Sequence, residues 1–382
     1  MENKLNKFVA VLVTALLIVT MVLGYRYFSQ LWEDDYIIPS EYVTEIKWLS
    51  DYHPPLKGTR GDTRIFFIDS GNPGATVAVN GGTHPDEISG VMGAMILVER
   101  AKPEVGRLIV IPQMNNSGFT HNFPQEATPL YYHLQTADGE TRRFRTGGRG
   151  ANSIDYWPDP EVFSHYQTGQ KLSGEEVRNL NRNFPGRPDG SFMEQVGYAI
   201  FKVLLDEKVD LNIDLHEAWP EYPFVNAMGA GKNSDDLASL AALDMRMEGI
   251  EIGVESAAEN FRGLTYRELP EYSDAYAILA ETANPGQGRI RGITDETLMI
   301  NGQDAFYVRA SDLGHTFVPI DENGWPLKVR VARHLATVSA LLRVFNELNP
   351  DKPFEISNIP SYDEAIEVDS IGYFLNSPKN ES

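Results

Sequence analysis

A chain of 382 residues is long enough for one large domain or two ordinary ones, and its 42% hydrophobic content supports a sizeable core. Its 54 acidic residues against 33 basic ones leave a net charge of −21, which excludes general nucleic-acid binding because that function needs a basic footprint. There are no cysteines, so disulfides and thiolate metal sites are excluded, and any transition-metal site must be built from His, Asp and Glu.

Residues 1–32 stand apart. Lys4 and Lys7 precede an apolar run from Phe8 to Gly24 that is interrupted only by Thr14 and Thr20. Such a run lies at the short end of what a membrane-spanning helix needs and at the long end of a signal-peptide core. The lysines ahead of it favour a cytoplasmic N-terminus and a body outside the cytoplasm. The expectation is a signal-anchor that holds the protein in the cell membrane as a single-pass chain with an extracytoplasmic body. The alternative is a secreted protein, released by cleavage at a small-residue site near Val22 and Gly24. Residues 33–56 read as a stalk or linker, 57–350 as the folded domain, and 351–382 as an acidic C-terminal tail without a clear element.

Within the body, Arg64–Ile68, Ala75–Val79 and Arg107–Ile111 read as short buried strands, with a helix over Ile88–Ala101 between the second and third. Asn115 to Asn179 is a long irregular stretch rich in Gly, Pro, Arg and aromatics; loops of that length are functional or disordered, and the aromatics favour order. A helix is expected over Met193–Lys208, a strand over Leu211–Leu215, a helix over Ser234–Gly249 and a strand over Ala275–Ala280. A long amphipathic helix, Val329–Leu348, is stopped by Asn349-Pro350. Strands alternating with helices predict an α/β domain with a mostly parallel or mixed central sheet flanked by helices. In such sheets ligands bind beyond the carboxyl ends of the strands.

Three segments lie at strand ends or carry polar chemistry. Gly81-Gly82-Thr83-His84-Pro85-Asp86-Glu87 follows a strand and opens a helix. His84 and Glu87, three apart, can converge on one ion, and two His with one Glu is a known catalytic zinc set. Alone, a His-x-x-Glu pair is weak. Asp214-Leu215-His216-Glu217 also follows an apolar strand, where a lone His is more often a hydrogen-bonded structural residue than a ligand. In Asn179-Leu180-Asn181-Arg182-Asn183-Phe184-Pro185-Gly186, Arg182 offers a planar fork for a carboxylate, against the reading of an ordinary turn.

Together these segments resemble the zinc carboxypeptidase superfamily, in particular its succinylglutamate desuccinylase/aspartoacylase branch. The resemblance covers roughly residues 75–285 and implies a zinc-carboxypeptidase-like domain. It further implies one Zn2+ per chain on His84, Glu87 and His216, a substrate carboxylate held by Asn181 and Arg182, and a general base, Glu281, in Leu279-Ala-Glu-Thr-Ala283. The chain departs from the branch at Pro85, where Gly is commoner, and in the length of residues 115–179. That length leaves open which arginine polarises the scissile carbonyl: Arg142, Arg143, Arg145, Arg149 or Arg178, the last also a candidate substrate contact. Asp214 or Asp86 could orient a ligating imidazole. The implied activity is hydrolysis of an amide in a carboxylate-bearing substrate, in the manner of an N-acyl amino acid deacylase. The alternatives are a membrane-tethered carboxypeptidase acting on peptides or cell-wall stem peptides, and a non-catalytic binding module on the same fold.

Overall fold

The structure, a computed structural model, describes residues 2–122, 128–256 and 261–378. Residues 1–36 and 37–382 form two compact units. The first is built on helix α1 (Glu2–Ser29), followed by a 3-10 turn, Gln30–Trp32. Its apolar side chains, such as Phe8, Leu16 and Met21, are exposed. The two polar interruptions satisfy themselves locally: the Thr14 hydroxyl donates to the Ala10 carbonyl and that of Thr20 to Leu16, each at 2.9 Å. Among the described residues, Lys4–Trp32 is the stretch long and apolar enough to cross a membrane.

The second unit is a mixed eight-stranded sheet. Its strands are β1 (Glu45–Trp48), β2 (Arg64–Asp69), β3 (Thr76–Asn80), β4 (Arg107–Ile111), β5 (Leu211–Ala218), β6 (Ala227–Ala230), β7 (Gly253–Ser256) and β8 (Tyr276–Ala283), in the order β1-β2-β4-β3-β5-β8-β6-β7. The centre, β4-β3-β5-β8, is parallel. Antiparallel pairings join β1 to β2, β2 to β4 and β6 to β8, while β7 runs parallel to β6.

Period-two alternation sends each strand's side chains to two different cores. Phe66, Ile68, Val77, Val79, Leu108, Val110, Ile213 and Leu215 join one cluster, beneath helices α2 (Ile88–Arg100), α4 (Asp235–Met247) and α5 (Leu327–Leu348). Ile65, Phe67, Ala78, Ile109 and Ile111 join the other, beneath α3 (Phe192–Asp206). At about 1.5–3 kcal/mol per fully buried aliphatic or aromatic side chain, these two faces dominate the stability of the domain.

Two expected boundaries are corrected. The segment 33–56 is not a stalk throughout, because β1 joins the sheet and Leu49 and Leu56 are buried in the α3-side core. The acidic tail expected from 351 does carry elements over residues 351–378: Glu355–Ser357 pairs with Lys102–Val105, and Phe354, Ile371 and Phe374 are buried in the α2-side core. The stretch from Asn115 to Asn179 contains two small hairpins, Tyr131–Gln135 with Thr141–Arg145 and Val162–Ser164 with Lys171–Ser173; residues 123–127 lie outside the described residues.

Candidate metal centre and its surroundings

The pairing of β3 with β5 sets Asn80 opposite Asp214, and that of β5 with β8 sets His216 opposite Glu281. The turn after β3, the last residues of β5 and the last residues of β8 therefore meet at the carboxyl edge of the parallel strands. His84 and Glu87 share one tight turn, closed by the Glu87 N–H donating to the His84 carbonyl at 3.1 Å, and helix α2 begins at the next residue.

Here His84, Glu87 and His216 come together, all buried, with one donor atom from each lying within 4.8 Å of the others. Glu87 sits between the imidazoles, its Oε1 2.7 Å from His84 Nδ1 and its Oε2 2.7 Å from His216 Nδ1. The outward nitrogens are also engaged: His84 Nε2 lies 2.9 Å from Asn179 Oδ1, and His216 Nε2 lies 3.1 Å from Asp214 Oδ2. Thr83 and Thr265 donate hydroxyl hydrogen bonds to Asp214 at 2.8 and 2.6 Å, and Glu176 accepts from Asn179 Nδ2 at 2.6 Å. Glu176 thus fixes the Asn179 amide with its oxygen toward His84, so His84 Nε2 is the protonated nitrogen and Nδ1 presents its lone pair to Glu87.

Burial, and then the Arg149 charge, lower the His84 pKa to about 4, so that imidazole is neutral at pH 7. A lone pair facing a carboxylate at 2.7 Å is repulsive without a nearby cation, a place that the Arg149 guanidinium takes here at 3.3–3.4 Å and that a metal ion could share. Burial also opposes the charging of His216, but Asp214 and Glu87 override it and hold its pKa well above the ordinary value. Burial likewise opposes ionisation of Glu87, yet His84 and His216 hold its carboxyl well below the usual range. Two nitrogen donors and a carboxylate face one another, His84 hydrogen-bonded behind by Asn179 and His216 backed by the Asp214 carboxylate, and form a set into which a transition-metal cation fits.

Glu281 faces the same space. Burial, and then Glu87, push its pKa well above the usual carboxylate range, and its buried Oε2 has no hydrogen-bond partner among the described residues. Among the arginines of the long loop, Arg149 reaches the triad, with one guanidinium nitrogen 3.3 Å from Glu87 Oε1 and 3.4 Å from His84 Nδ1. Gly147 permits that approach: it has φ +75°, and a Cβ there would lie 2.4 Å from Pro85 Cβ. Arg142 is instead paired in the interior with Glu99 at 2.7 Å, while Arg143 stacks on Tyr131 and Arg145 on Phe119. Arg178, expected as a substrate contact, forks onto Asp159 with two bonds of 2.8 Å.

Arg182 keeps its guanidinium over the Phe261 ring at 4.5 Å and donates from one nitrogen to the Asn181 carbonyl at 2.6 Å. Among the described residues its Nε and the Asn181 Oδ1, both buried, make no hydrogen bond, although Glu176 Oε2 lies 3.8 Å from that Nε. Burial and the neighbouring Arg149 push the Arg182 pKa down to about 10, which leaves it cationic at neutral pH. Sequence reasoning left Asn179 without a role, although it heads the Asn-Leu-Asn-Arg motif, and left Arg149 unresolved, although its flanking glycines mark a loop built for close approach.

An α/β domain with a mixed sheet and a His–Glu–His centre at the carboxyl edge of its parallel strands is the class these observations define. No family model matches the chain. Among curated proteins it is similar to the N-alpha-acetyl-L-2,4-diaminobutyric acid deacetylase of Halomonas elongata, 26% identical over 145 residues, which is 37% of this chain and 28% of the relative. Similar solved structures include an aspartoacylase family protein from Mesorhizobium loti, at 20% identity, 58% coverage of this chain and 56% of that one, with a TM-score of 0.37. They also include a metallo-carboxypeptidase from Burkholderia cenocepacia, at 10% identity, 85% and 69% coverage, with a TM-score of 0.46. The match spans less than a third of the curated relative and about half of the aspartoacylase-family structure.

Proposed function

We propose that this chain is a zinc hydrolase that cleaves an amide bond in a substrate bearing a free carboxylate. The observation that carries the reading is the unpartnered Glu281 oxygen in register with His216, beside two imidazoles whose Nδ1 atoms converge on Glu87. His84, Glu87 and His216 would hold the zinc ion, which when bound supplies an acidified water and polarises a carbonyl.

The rest of the chemistry falls to the chain's own groups. Arg182, with Asn181, binds the substrate carboxylate and turns that binding energy into orientation of the amide. Its stacking on Phe261 and a buried Nε that makes no hydrogen bond among the described residues suit that role. Glu281 removes a proton from the attacking water as its oxygen bonds to the carbonyl carbon. It then delivers that proton to the amine nitrogen as the C–N bond breaks. A carboxyl with raised proton affinity suits a group that must hold a proton between those events. Arg149 lies where its charge can stabilise the negative carbonyl oxygen of the tetrahedral adduct, and it displaces the loop's other arginines from that part. Asn179 and Asp214 keep the imidazoles in the ligating tautomer.

The apolar helix α1 supports a single-pass anchor in the cell membrane with the catalytic domain outside the cytoplasm, or secretion if the helix is removed. That placement favours a second reading within the same chemistry: a carboxypeptidase acting on peptides met outside the cell, cell-wall stem peptides included. The unpartnered base opposes a non-catalytic binding module. Zinc-loaded protein incubated with N-acyl amino acids and with peptides, followed by mass spectrometry, separates the readings. Release of free amino acid from acylated monomers identifies a deacylase, and loss of the C-terminal residue from peptides a carboxypeptidase. No cleavage of either set would overturn the proposal.

A further inference from the structure

His216 is followed by an acidic residue that neither faces the proposed metal nor touches the substrate side. Side chains alternate along β5, so Glu217 points into the opposite face of the sheet, toward α2 and α5. Its carboxylate is fully buried, and so is its partner Arg330, whose guanidinium donates to Glu217 Oε1 at 2.8 Å and also to the Met299 carbonyl. The other oxygen, Oε2, accepts from the Ser89 N–H at 3.2 Å and from Asn284 Nδ2 at 2.9 Å. The Glu217 N–H itself donates to Glu87 Oε2 at 3.1 Å, the oxygen that also faces His216.

These bonds join four pieces of chain at one carboxylate. Ser89 lies in the first turn of α2, two residues after Glu87. Asn284 directly follows β8, which carries Glu281, and Arg330 belongs to α5. One carboxylate therefore ties the turn holding a ligand, the strand holding the base and a helix behind the sheet. A buried ion pair brings little net stability over a well-packed apolar pair, so stability alone does not account for the arrangement.

Resting on the metal-centre reading above, we infer that Glu217, braced by Arg330, is a positioning residue that sets Glu87 against His216 and β8 from behind the sheet. The test uses full-length protein in detergent and metal alone as the probe: Zn2+ by competition with a chromophoric chelator, and Co2+ by its visible absorption. The double variant Glu217→Gln/Arg330→Met removes the charges together and so avoids stranding one of them. Glu217→Asp keeps the charge for Arg330 but draws the carboxylate back from Ser89 and Asn284. The expected result is a zinc dissociation constant raised about 10–100-fold and an altered Co2+ spectrum in a variant whose metal-free melting temperature is kept. Wild-type affinity and spectrum in both variants would overturn the inference. So would weakened binding confined to a variant whose melting temperature has fallen, since that is the mark of a purely structural pair. If the wild-type protein itself takes up no zinc, the metal-centre reading falls, and this inference with it.

Discussion

Two glycines one helical turn apart in α2 make opposite predictions. A Cβ placed on Gly90 would lie 2.3 Å from the Leu215 carbonyl oxygen and 2.9 Å from its carbon, both backbone atoms of the central strand. Relieving that contact requires the helix to retreat by about 1 Å. A Cβ on Gly93 would meet the end of the Leu215 side chain at 3.3 Å and His334 Cβ at 3.7 Å, contacts that a small side-chain adjustment absorbs. Glycine to alanine inside a helix brings about 1 kcal/mol from propensity, whereas overpacking costs about 1–3 kcal/mol or more. Gly93→Ala is therefore expected to be neutral or slightly stabilising, and Gly90→Ala, whose clash is with backbone, to destabilise by up to about 2 kcal/mol net. Because Glu87 and Ser89 ride on the same turn as Gly90, Gly90→Ala should also weaken zinc binding while Gly93→Ala leaves it unchanged. Urea unfolding of the metal-free proteins and zinc titration measure the two effects. Equal stability and equal zinc affinity for the two variants would refute the claim that the start of α2 is held against β5 by backbone contact.

Among the loop arginines, Arg149→Ala should lower kcat by about 10²–10³-fold, as for a donor to a developing oxyanion. Arg182→Ala should instead act mainly on KM for carboxylate substrates, and Arg178→Ala should lower the melting temperature with little effect on either constant; steady-state kinetics and thermal melts separate the three. Asn179→Leu and Asp214→Asn should each weaken zinc binding about 10–100-fold in a competition titration, and unchanged affinity in both would remove them from the centre. Away from the site, burial opposes ionisation of Glu207, but the Tyr52 hydroxyl, Arg107 and Lys47 together hold its carboxyl below the usual range. A depressed pKa supplies stability that is present above the unfolded value, about 4.3, and lost as pH falls through the folded one. Glu207→Gln should therefore cost about 1–2 kcal/mol at pH 7 and progressively less below about pH 4; a gap independent of pH would contradict the assignment.

The parallel centre of the sheet was legible because its strands are short apolar runs with turns after them. β5 and β8 extend past the expected ends, to Ala218 and Ala283; the expectation stops short because His216, Glu217 and Glu281 interrupt the apolar pattern where the strands reach the candidate site. β1 was missed since Glu45-Ile-Lys-Trp48 has exposed or half-exposed side chains and no apolar run. The C-terminal pieces were missed since each is too short to show a period, although Phe354, Ile371 and Phe374 are buried. The proposed ligands could be named only through the family resemblance that the three segments carry together, since His-x-x-Glu and a strand-end His are each weak alone. Arg149 could not be chosen, since its approach depends on Gly147 packing against Pro85 across more than sixty residues of chain with no periodicity to read. Asn179 was hidden for a similar reason, as its partner His84 lies 95 residues away.

The central claim is that His84, Glu87 and His216 bind a zinc ion beside which Glu281 acts as base. Its most direct test is zinc content and amide hydrolysis measured together on wild type, Glu281→Gln and His216→Ala. The account predicts one zinc per chain in the wild type and in Glu281→Gln, hydrolysis only in the wild type, and neither zinc nor hydrolysis in His216→Ala. Undiminished hydrolysis by Glu281→Gln, or one zinc per chain retained in His216→Ala, would contradict it.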